Sequence, residues 1–131
     1  MKVIHRRYVA YSETHYAGNL VDGAFGLALF GDAGTHLAIV TDGHESLFAG
    51  YSSVEFLSPV RGGDVIEVEA RLAAKGNRSR TIDFELRVIA RALDHTGRAE
   101  VLAEPIVATR ARGTGVVPVL PQDRNPEGSA A

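Results

Sequence analysis

The pattern of apolar and polar residues along the chain predicts five β-strands and one helix. The strands are predicted at residues 3–11, 46–57, 65–72, 80–91 and 101–117. In the third and fourth strands every second residue is apolar and the residues between are mainly charged, which is typical of antiparallel strands with one face in water. Between these two strands, Gly76 and Asn77 tolerate the backbone angles of a tight hairpin turn. Pro105 cannot donate to a ladder and predicts an edge, a bulge or a break in the last strand.

Residues 20–40 are apolar on almost every side and are too long for one strand, so they predict a buried helix. Asn19 is the predicted N-cap, with Asp22 returning the hydrogen bond, while Asp42 and Gly43 mark the C-terminal end. The helix contains four glycines. Each weakens it by about 1 kcal/mol relative to alanine, so close packing against a sheet must compensate.

An antiparallel sheet with one polar face has a single place for such a helix, which is against its other face. The predicted architecture is therefore α+β, with the antiparallel sheet wrapped around a long central helix, as in the hot-dog fold. A single layer of this kind leaves a sheet edge and part of the helix uncovered. We therefore expect at least a dimer.

Composition narrows the possible functions. With 131 residues, 14 basic against 16 acidic side chains and no cysteine, the chain fits one domain that needs neither disulfides nor cysteine-bound metal. Scattered basic residues argue against a nucleic-acid surface, and short apolar runs argue against a signal peptide or membrane span, so a cytoplasmic protein is expected. The histidines lack metal-ligand spacing, so no metal is expected. The domain is predicted at residues 1–118, followed by a flexible tail at residues 119–131.

Two carboxylates stand among apolar neighbours. Asp32 lies within the predicted helix, where an ionised carboxylate is costly unless it is paired. It is a functional group, a cap for a kink at Gly31, or a partner for His36, one turn later. Glu55 lies in the second predicted strand and, by the period of two, shares a face with Tyr51 and Leu57 and has no basic partner there. It is either functional or a solvent-facing glutamate.

The segment before the helix and three arginines are further candidates. A helix N-terminus presents unpaired N–H groups suited to a developing oxyanion, and Gly18 permits close approach of a ligand. A plain loop with an N-cap explains the same residues. Arg61, Arg78 and Arg80 lie near strand ends, where guanidinium groups suit phosphates, although lone surface arginines commonly have no ligand.

A series of short segments together resembles one known family. The segments are residues 15–24, 30–35, 42–43, 46–48, 50–51, 54–56, 58–60, 63–64 and 76–79. In these the chain resembles the hot-dog-fold β-aminoacyl-CoA ammonia lyases, that is, the 3-aminobutyryl-CoA and β-alanyl-CoA ammonia lyases. The similarity runs from about residue 1 to Val117. The chain departs from the family pattern at Asp22, where the lyases have an amide, and at Phe25, where they have arginine.

The resemblance implies reversible elimination of ammonia from a β-amino thioester to give an α,β-unsaturated thioester. No cofactor is implied, because CoA is part of the substrate. In the implied mechanism Glu55 takes the α-proton and Asp32 holds the substrate ammonium, although the two roles are exchangeable. Backbone N–H groups near Gly18, Asn19 and Leu20 bind the thioester oxygen.

The resemblance also implies supporting residues and partners. His15 and Tyr51 are secondary polar groups of the site, and Arg61, Arg78 and Arg80 contact the CoA part of the acyl-CoA substrate. The protein is expected to be a homodimer or a higher homo-oligomer, such as a tetramer or hexamer, with each site shared between two subunits. Two other functions remain open, namely an acyl-CoA thioesterase of the same fold and a noncatalytic module that binds acyl thioesters.

Overall fold

The computed structural model describes residues 1–119, which form one five-stranded antiparallel sheet and one long helix. In chain order the elements are β1 (Lys2–Tyr8), a single 3₁₀ turn (Tyr11–Glu13), α1 (Gly23–Asp42), β2 (Leu47–Phe56), β3 (Val65–Lys75), β4 (Ser79–Ala92) and β5 (Ala99–Val116). The strand order in the sheet is β1-β3-β4-β5-β2. The predicted α+β architecture is confirmed, whereas all but the first residue of the predicted tail lies outside the described residues.

The core lies between α1 and one face of the sheet. Its fully buried apolar side chains come from the helix and from alternate positions of the central strands, and include Phe30, Leu37, Ile66, Val68, Leu86 and Val88. The Phe30 and Phe84 rings stack with their centroids 5.0 Å apart. A Cβ atom at Gly34 would lie 3.3 Å from the Phe84 ring. At Gly34, and at Gly26 against Leu86, this close approach of helix to sheet is the predicted compensation, whereas a Cβ atom at Gly31 would meet nothing within 4 Å.

The helix begins three residues later than predicted because Asp22, and not Asn19, is its N-cap. The Asp22 carboxylate accepts a hydrogen bond from the Phe25 N–H at 2.9 Å. Asn19 instead has a left-handed backbone with φ of 63° in the preceding turn. At the other end α1 stops at Asp42, and the left-handed Gly43 closes it as predicted.

The helix is buried on one face only, as expected for a single layer that leaves part of the helix uncovered. On its outward side Ile39 and Val40 are about half exposed, and the edge strand β2 also exposes Leu47, Phe48 and Phe56. By length and mean hydropathy the helix would suit a membrane span, but its inner face packs on the sheet as the core helix of a soluble protein does. The predicted oligomer would cover the exposed apolar surface.

Pro105 lies in a bulge of β5. The pairing with β4 jumps from Val88 opposite Ile106 to Ala90 opposite Val101, so the β5 segment between these pairs is longer than its β4 counterpart. On its other side β5 pairs with β2 only from Thr109 onward. The prediction of an edge or bulge at this proline is therefore confirmed.

A buried ion pair ties the end of α1 to the β3–β4 hairpin. The Arg80 guanidinium donates to both carboxylate oxygens of Asp42 at 3.0 Å and to the carbonyls of Gly76 and Ser79. Both side chains of the pair are less than a tenth exposed. Arg80 holds the pKa of the Asp42 carboxyl below its usual value. The hairpin turn lies where it was predicted, although neither Gly76 nor Asn77 needs a positive φ.

We expect Arg80→Met to lower the free energy of unfolding at neutral pH by about 2–3 kcal/mol. This loss is smaller than for a buried carboxylate that is left with no cation, because Lys75 remains 3.8 Å from Asp42. Since the folded-state pKa of Asp42 is lowered, the stabilisation exists above the unfolded-state pKa and is lost as the pH falls below about 4. Urea unfolding of both proteins at neutral and acidic pH measures this. A difference that does not shrink in acid would contradict the prediction.

Candidate active site

Asp32 lies midway along α1 on its exposed side, beside a cavity of about 400 Å³ between the helix and β1. The other residues that line this cavity are His5, Arg6, Arg7, Leu29 and Val68. Within residues 1–119 the Asp32 carboxylate makes no hydrogen bond or ion pair, whereas the two neighbouring arginines are paired with glutamates. Asp32 is therefore an exposed carboxylate without a partner among these residues, next to a cavity with apolar and titratable walls.

His36 does not pair with Asp32, so the alternative that Asp32 is a partner for His36 is wrong. The Nδ1 atom of His36 instead lies 2.8 Å from Nε2 of His5, and the two rings stack with centroids 5.1 Å apart. Sequence analysis missed this pair because its members lie on different elements. The available signal was the strand period, which places His5 on the same face of β1 as the buried Val3.

The arginines of the cavity already have partners. Arg7 donates to both oxygens of Glu13 at 2.8 Å, and its guanidinium lies 5.1 Å from the centroid of the Phe25 ring. Arg6 donates to Glu67. Among the described residues, the polar side chains of the cavity without an ion-pair partner are thus Asp32 and His5, and the His5 ring contacts His36. In the described part of the chain no three side chains of metal-binding types are grouped as a metal site.

Glu55 lies on the face of the sheet that points away from α1. Ser52 is an extra residue in the register between β2 and β5, and it reverses the alternation along β2. Tyr51 therefore packs on the core residue Phe84, whereas Glu55 lies opposite Arg110. The prediction that Tyr51 and Glu55 share a face without a basic residue is wrong for this reason.

The surroundings of Glu55 are strongly charged. Arg110 is bonded to Glu85 at 3.1 Å, and Arg112 is bonded to Asp83 at 2.7 Å. These side chains line an open depression of about 270 Å³ together with Glu55. Within one protomer Asp32 and Glu55 therefore lie in different cavities on opposite sides of the sheet. A site that uses both must take Glu55 from another protomer.

Tyr51 and His15 lie apart from both carboxylates. The Tyr51 ring packs 4.7 Å from the Phe48 ring, and burial raises the pKa of Tyr51. His15 is exposed in the segment before the helix, where its ring contacts Tyr16 edge to face. Within one protomer neither side chain contacts Asp32 or Glu55.

The predicted oxyanion site lies in a closed turn and not at the helix end. The N–H groups of His15 and Tyr16 donate to the Leu20 carbonyl at 2.7 and 3.1 Å, and this turn contains Gly18 and Asn19. Because α1 starts at Gly23, Gly18, Asn19 and Leu20 precede its first turn. The structure therefore separates these three residues from the positive end of the helix.

The free amides at the actual helix start are those of Gly23 and Ala24, which have no intrahelical acceptor because of their position. The next amide is already taken by the Asp22 cap. This end of the helix borders a cavity of about 370 Å³, and the Phe56 ring packs directly on Gly23. Sequence analysis missed these amides because Asn19 and Asp22, three positions apart, are both good N-caps.

The three predicted CoA arginines do not act together in one protomer. Arg80 has its donors committed to Asp42 and the hairpin, so it is not available for a phosphate. Arg78 is exposed and bonds the Val117 carbonyl at 3.1 Å. Arg61 is exposed at the opposite end of β3, roughly 33 Å away, beside a cavity of about 450 Å³ that also includes Gly18 and Asn19.

The fold and the match to a sequence profile define the class of protein. The sequence profile described as the thioesterase superfamily matches residues 18–93. A hexameric hotdog-fold thioesterase of Campylobacter jejuni superposes with a TM-score of 0.71 at 23% identity, covering 86% of this chain and 79% of that one. The chain therefore belongs to the thioesterase superfamily and has the hot-dog fold.

Two relatives are considerably more similar. The 3-aminobutyryl-CoA ammonia lyase of Acetoanaerobium sticklandii is 46% identical over 120 residues, which cover 90% of this chain and 95% of that protein. The β-alanyl-CoA ammonia lyase of Clostridium propionicum has a TM-score of 0.86 and 36% identity, with coverage of 89% and 85%. The resemblance found in the sequence is thereby confirmed over nearly the whole chain.

Proposed function

We propose that this protein is a carbon–nitrogen lyase that reversibly eliminates ammonia from a β-aminoacyl-CoA thioester. The observation that carries the proposal is the 46% identity to a 3-aminobutyryl-CoA ammonia lyase across almost the full length of both chains. The acyl-CoA hydrolase of Staphylococcus aureus and the hotdog thioesterase of Campylobacter jejuni are 20% and 23% identical to this chain. A carboxylate without a partner beside an open cavity suits a substrate that carries a positive charge.

The proposed substrate is a short β-aminoacyl-CoA with an alkyl substituent at the β-carbon, as in 3-aminobutyryl-CoA. Asp32 would hold the ammonium group. Leu29 and Val68 in the same cavity supply apolar surface for a methyl group on the same carbon. An extra methyl group in an apolar pocket is worth about 1–3 kcal/mol, which corresponds to tenfold or more in kcat/KM.

In the proposed elimination Glu55 of a neighbouring protomer takes the α-proton, and the electron pair of that C–H bond forms the C=C bond. The C–N bond breaks with its pair on nitrogen, so that ammonia leaves beside Asp32. Gly23 precedes Asp32 in α1 by roughly 13 Å along the helix axis, which is too far for one short acyl group. The free amides of Gly23 and Ala24 that hold the enolate oxygen therefore come from the neighbouring protomer that supplies Glu55, in place of the turn at residues 18–20. Tyr51 and His15 remain secondary polar groups at the edge of the site.

The contact with CoA and the association of protomers are proposed from the same positions of the helix and the sheet. Arg61 is the arginine best placed to meet CoA phosphates, because its side chain is exposed at the helix N-terminal end of the molecule. We expect a cytoplasmic homo-oligomer in which the apolar side of α1 and the β2 edge are covered by another copy. A shared site of this kind needs no cofactor, since CoA enters with the substrate.

Enoyl amination tests the function directly. With crotonyl-CoA and ammonium we expect loss of the enoyl absorbance without release of thiol, and a kcat/KM about tenfold or more above that for acryloyl-CoA. Release of thiol would support an acyl-CoA thioesterase, because hydrolysis also removes the enoyl-thioester absorbance and only the free thiol distinguishes it from amination. CoA binding with neither reaction would support a noncatalytic module.

A further inference from the structure

The histidine pair beside Asp32 has no role in the mechanism described so far. His5 lines the cavity of Asp32, while His36 lies one helical turn beyond Asp32 and its Nδ1 atom is 2.8 Å from Nε2 of His5. One ring must donate and the other accept in this contact, so at most one of the two rings carries two protons while it is formed. The contact fixes the orientation of the His5 ring and leaves its Nδ1 atom as the remaining hydrogen-bonding nitrogen.

The proposed reaction leaves a proton unaccounted for at this end of the site. Ammonia departs with the electron pair of the C–N bond, but in neutral water it exists mainly as ammonium. In the reverse direction ammonium has no free electron pair, so it must lose a proton before its nitrogen can attack the β-carbon. Asp32 holds the cation by charge, but a second group is needed to exchange this proton at nearly neutral pH.

We infer that His5 is the acid–base group that interconverts ammonium and ammonia at Asp32, and that His36 is its positioning residue. This inference rests on the proposed lyase function. In the addition direction neutral His5 takes one proton from bound ammonium, and the freed pair on nitrogen forms the C–N bond. The α-carbon receives its proton from protonated Glu55. His5 then releases its proton to solvent and Glu55 takes one up, so that no net proton is consumed. In the elimination direction each transfer runs backwards.

The other charged groups around His5 do not offer the same exchange. On β1, Arg6 and Arg7 follow His5 in the chain, and each is bonded to a glutamate. From β3 the residue opposite His5 is the apolar Val68. From α1 only Asp32 and His36 present titratable groups to this part of the structure. An imidazole is the one type of side chain in this group that normally titrates between about pH 5 and 8.

The test compares two nucleophiles in the amination of crotonyl-CoA. His5→Gln keeps a hydrogen-bonding atom near the Nε2 position but cannot exchange the proton. We expect its kcat with ammonium to fall about a hundredfold, with KM for crotonyl-CoA nearly unchanged. With hydroxylamine, which is largely unprotonated at neutral pH, the variant should react almost as fast as the wild type. Raising the pH should restore the ammonium reaction, because free ammonia becomes available.

Further variants separate acid–base chemistry from folding. His36→Ala should lower kcat with ammonium, and His36→Asn, which keeps a hydrogen-bonding atom near the Nδ1 position, should restore it. His44→Asn, just after the end of α1, keeps an acceptor near the Nδ1 position that binds the Ser46 N–H; it is the matched control and should leave both reactions unchanged. Equal losses of His5→Gln with both nucleophiles, or no loss with either, would overturn the inference. If wild-type protein does not aminate crotonyl-CoA at all, the proposed function fails first.

Discussion

Replacing Asp32 with asparagine is expected to lower kcat roughly a thousandfold, because the variant removes the one negative charge without a partner from the cavity beside the helix. The amide keeps the shape and two polar atoms of the carboxylate but cannot hold a cation by charge. Hydroxylamine should not rescue this variant, because the ammonium-binding charge also stabilises the positive nitrogen that forms on attack. This separates the role of Asp32 from that of His5.

The same substitution should leave the fold intact. Asp32 is exposed and has no partner among the described residues, and aspartate and asparagine have similar helix propensities. We expect the free energy of unfolding to change by less than about 0.5 kcal/mol. Glu100→Gln removes the charge of an exposed β5 residue that likewise has no partner among the described residues, and it serves as the control. Wild-type turnover in Asp32→Asn would remove Asp32 from the mechanism.

The sheet and the central helix could be predicted because they follow from periodicity within single segments. The alternation in β3 and β4 marks their two faces directly, and the apolar run from residues 20–40 is too long for a strand. Signals in the local sequence fail where two residues can serve equally well in the same structural role. Asn19 and Asp22 are both acceptable N-caps, and only the turn with left-handed Asn19 decides for Asp22.

The candidate site was predictable in part, because local patterns do not record contacts between distant elements. Asp32 stands out in the sequence as a charge within an apolar helix. The face of Glu55 depends on the extra residue Ser52, and a strand period carried across a bulge gives the wrong side. Arg80 looks like a free surface arginine until the fold brings Asp42 to it, and His5 meets His36 only through the packing of β1 on α1.

Glu55→Gln is expected to lower kcat by at least about a hundredfold, with an unchanged free energy of unfolding. Glu55 is exposed and makes no ion pair within residues 1–119, so a structural contribution should be small. Glu104→Gln changes an exposed glutamate of β5 and is the matched control. If Glu55 only faces Arg110 and solvent, its variant will turn over substrate like the control.

Mixing the two inactive variants tests whether the site is shared between protomers. After unfolding and refolding an equal mixture of Asp32→Asn and Glu55→Gln, we expect about a quarter of the wild-type activity to return. Random pairing makes half of the dimers mixed, and each mixed dimer contains one site with both carboxylates and one with neither. If each site used both groups from a single chain, every site would lack one of them and no activity would return. Because Asp32 and Glu55 lie on opposite sides of the sheet in one protomer, the structure favours recovery.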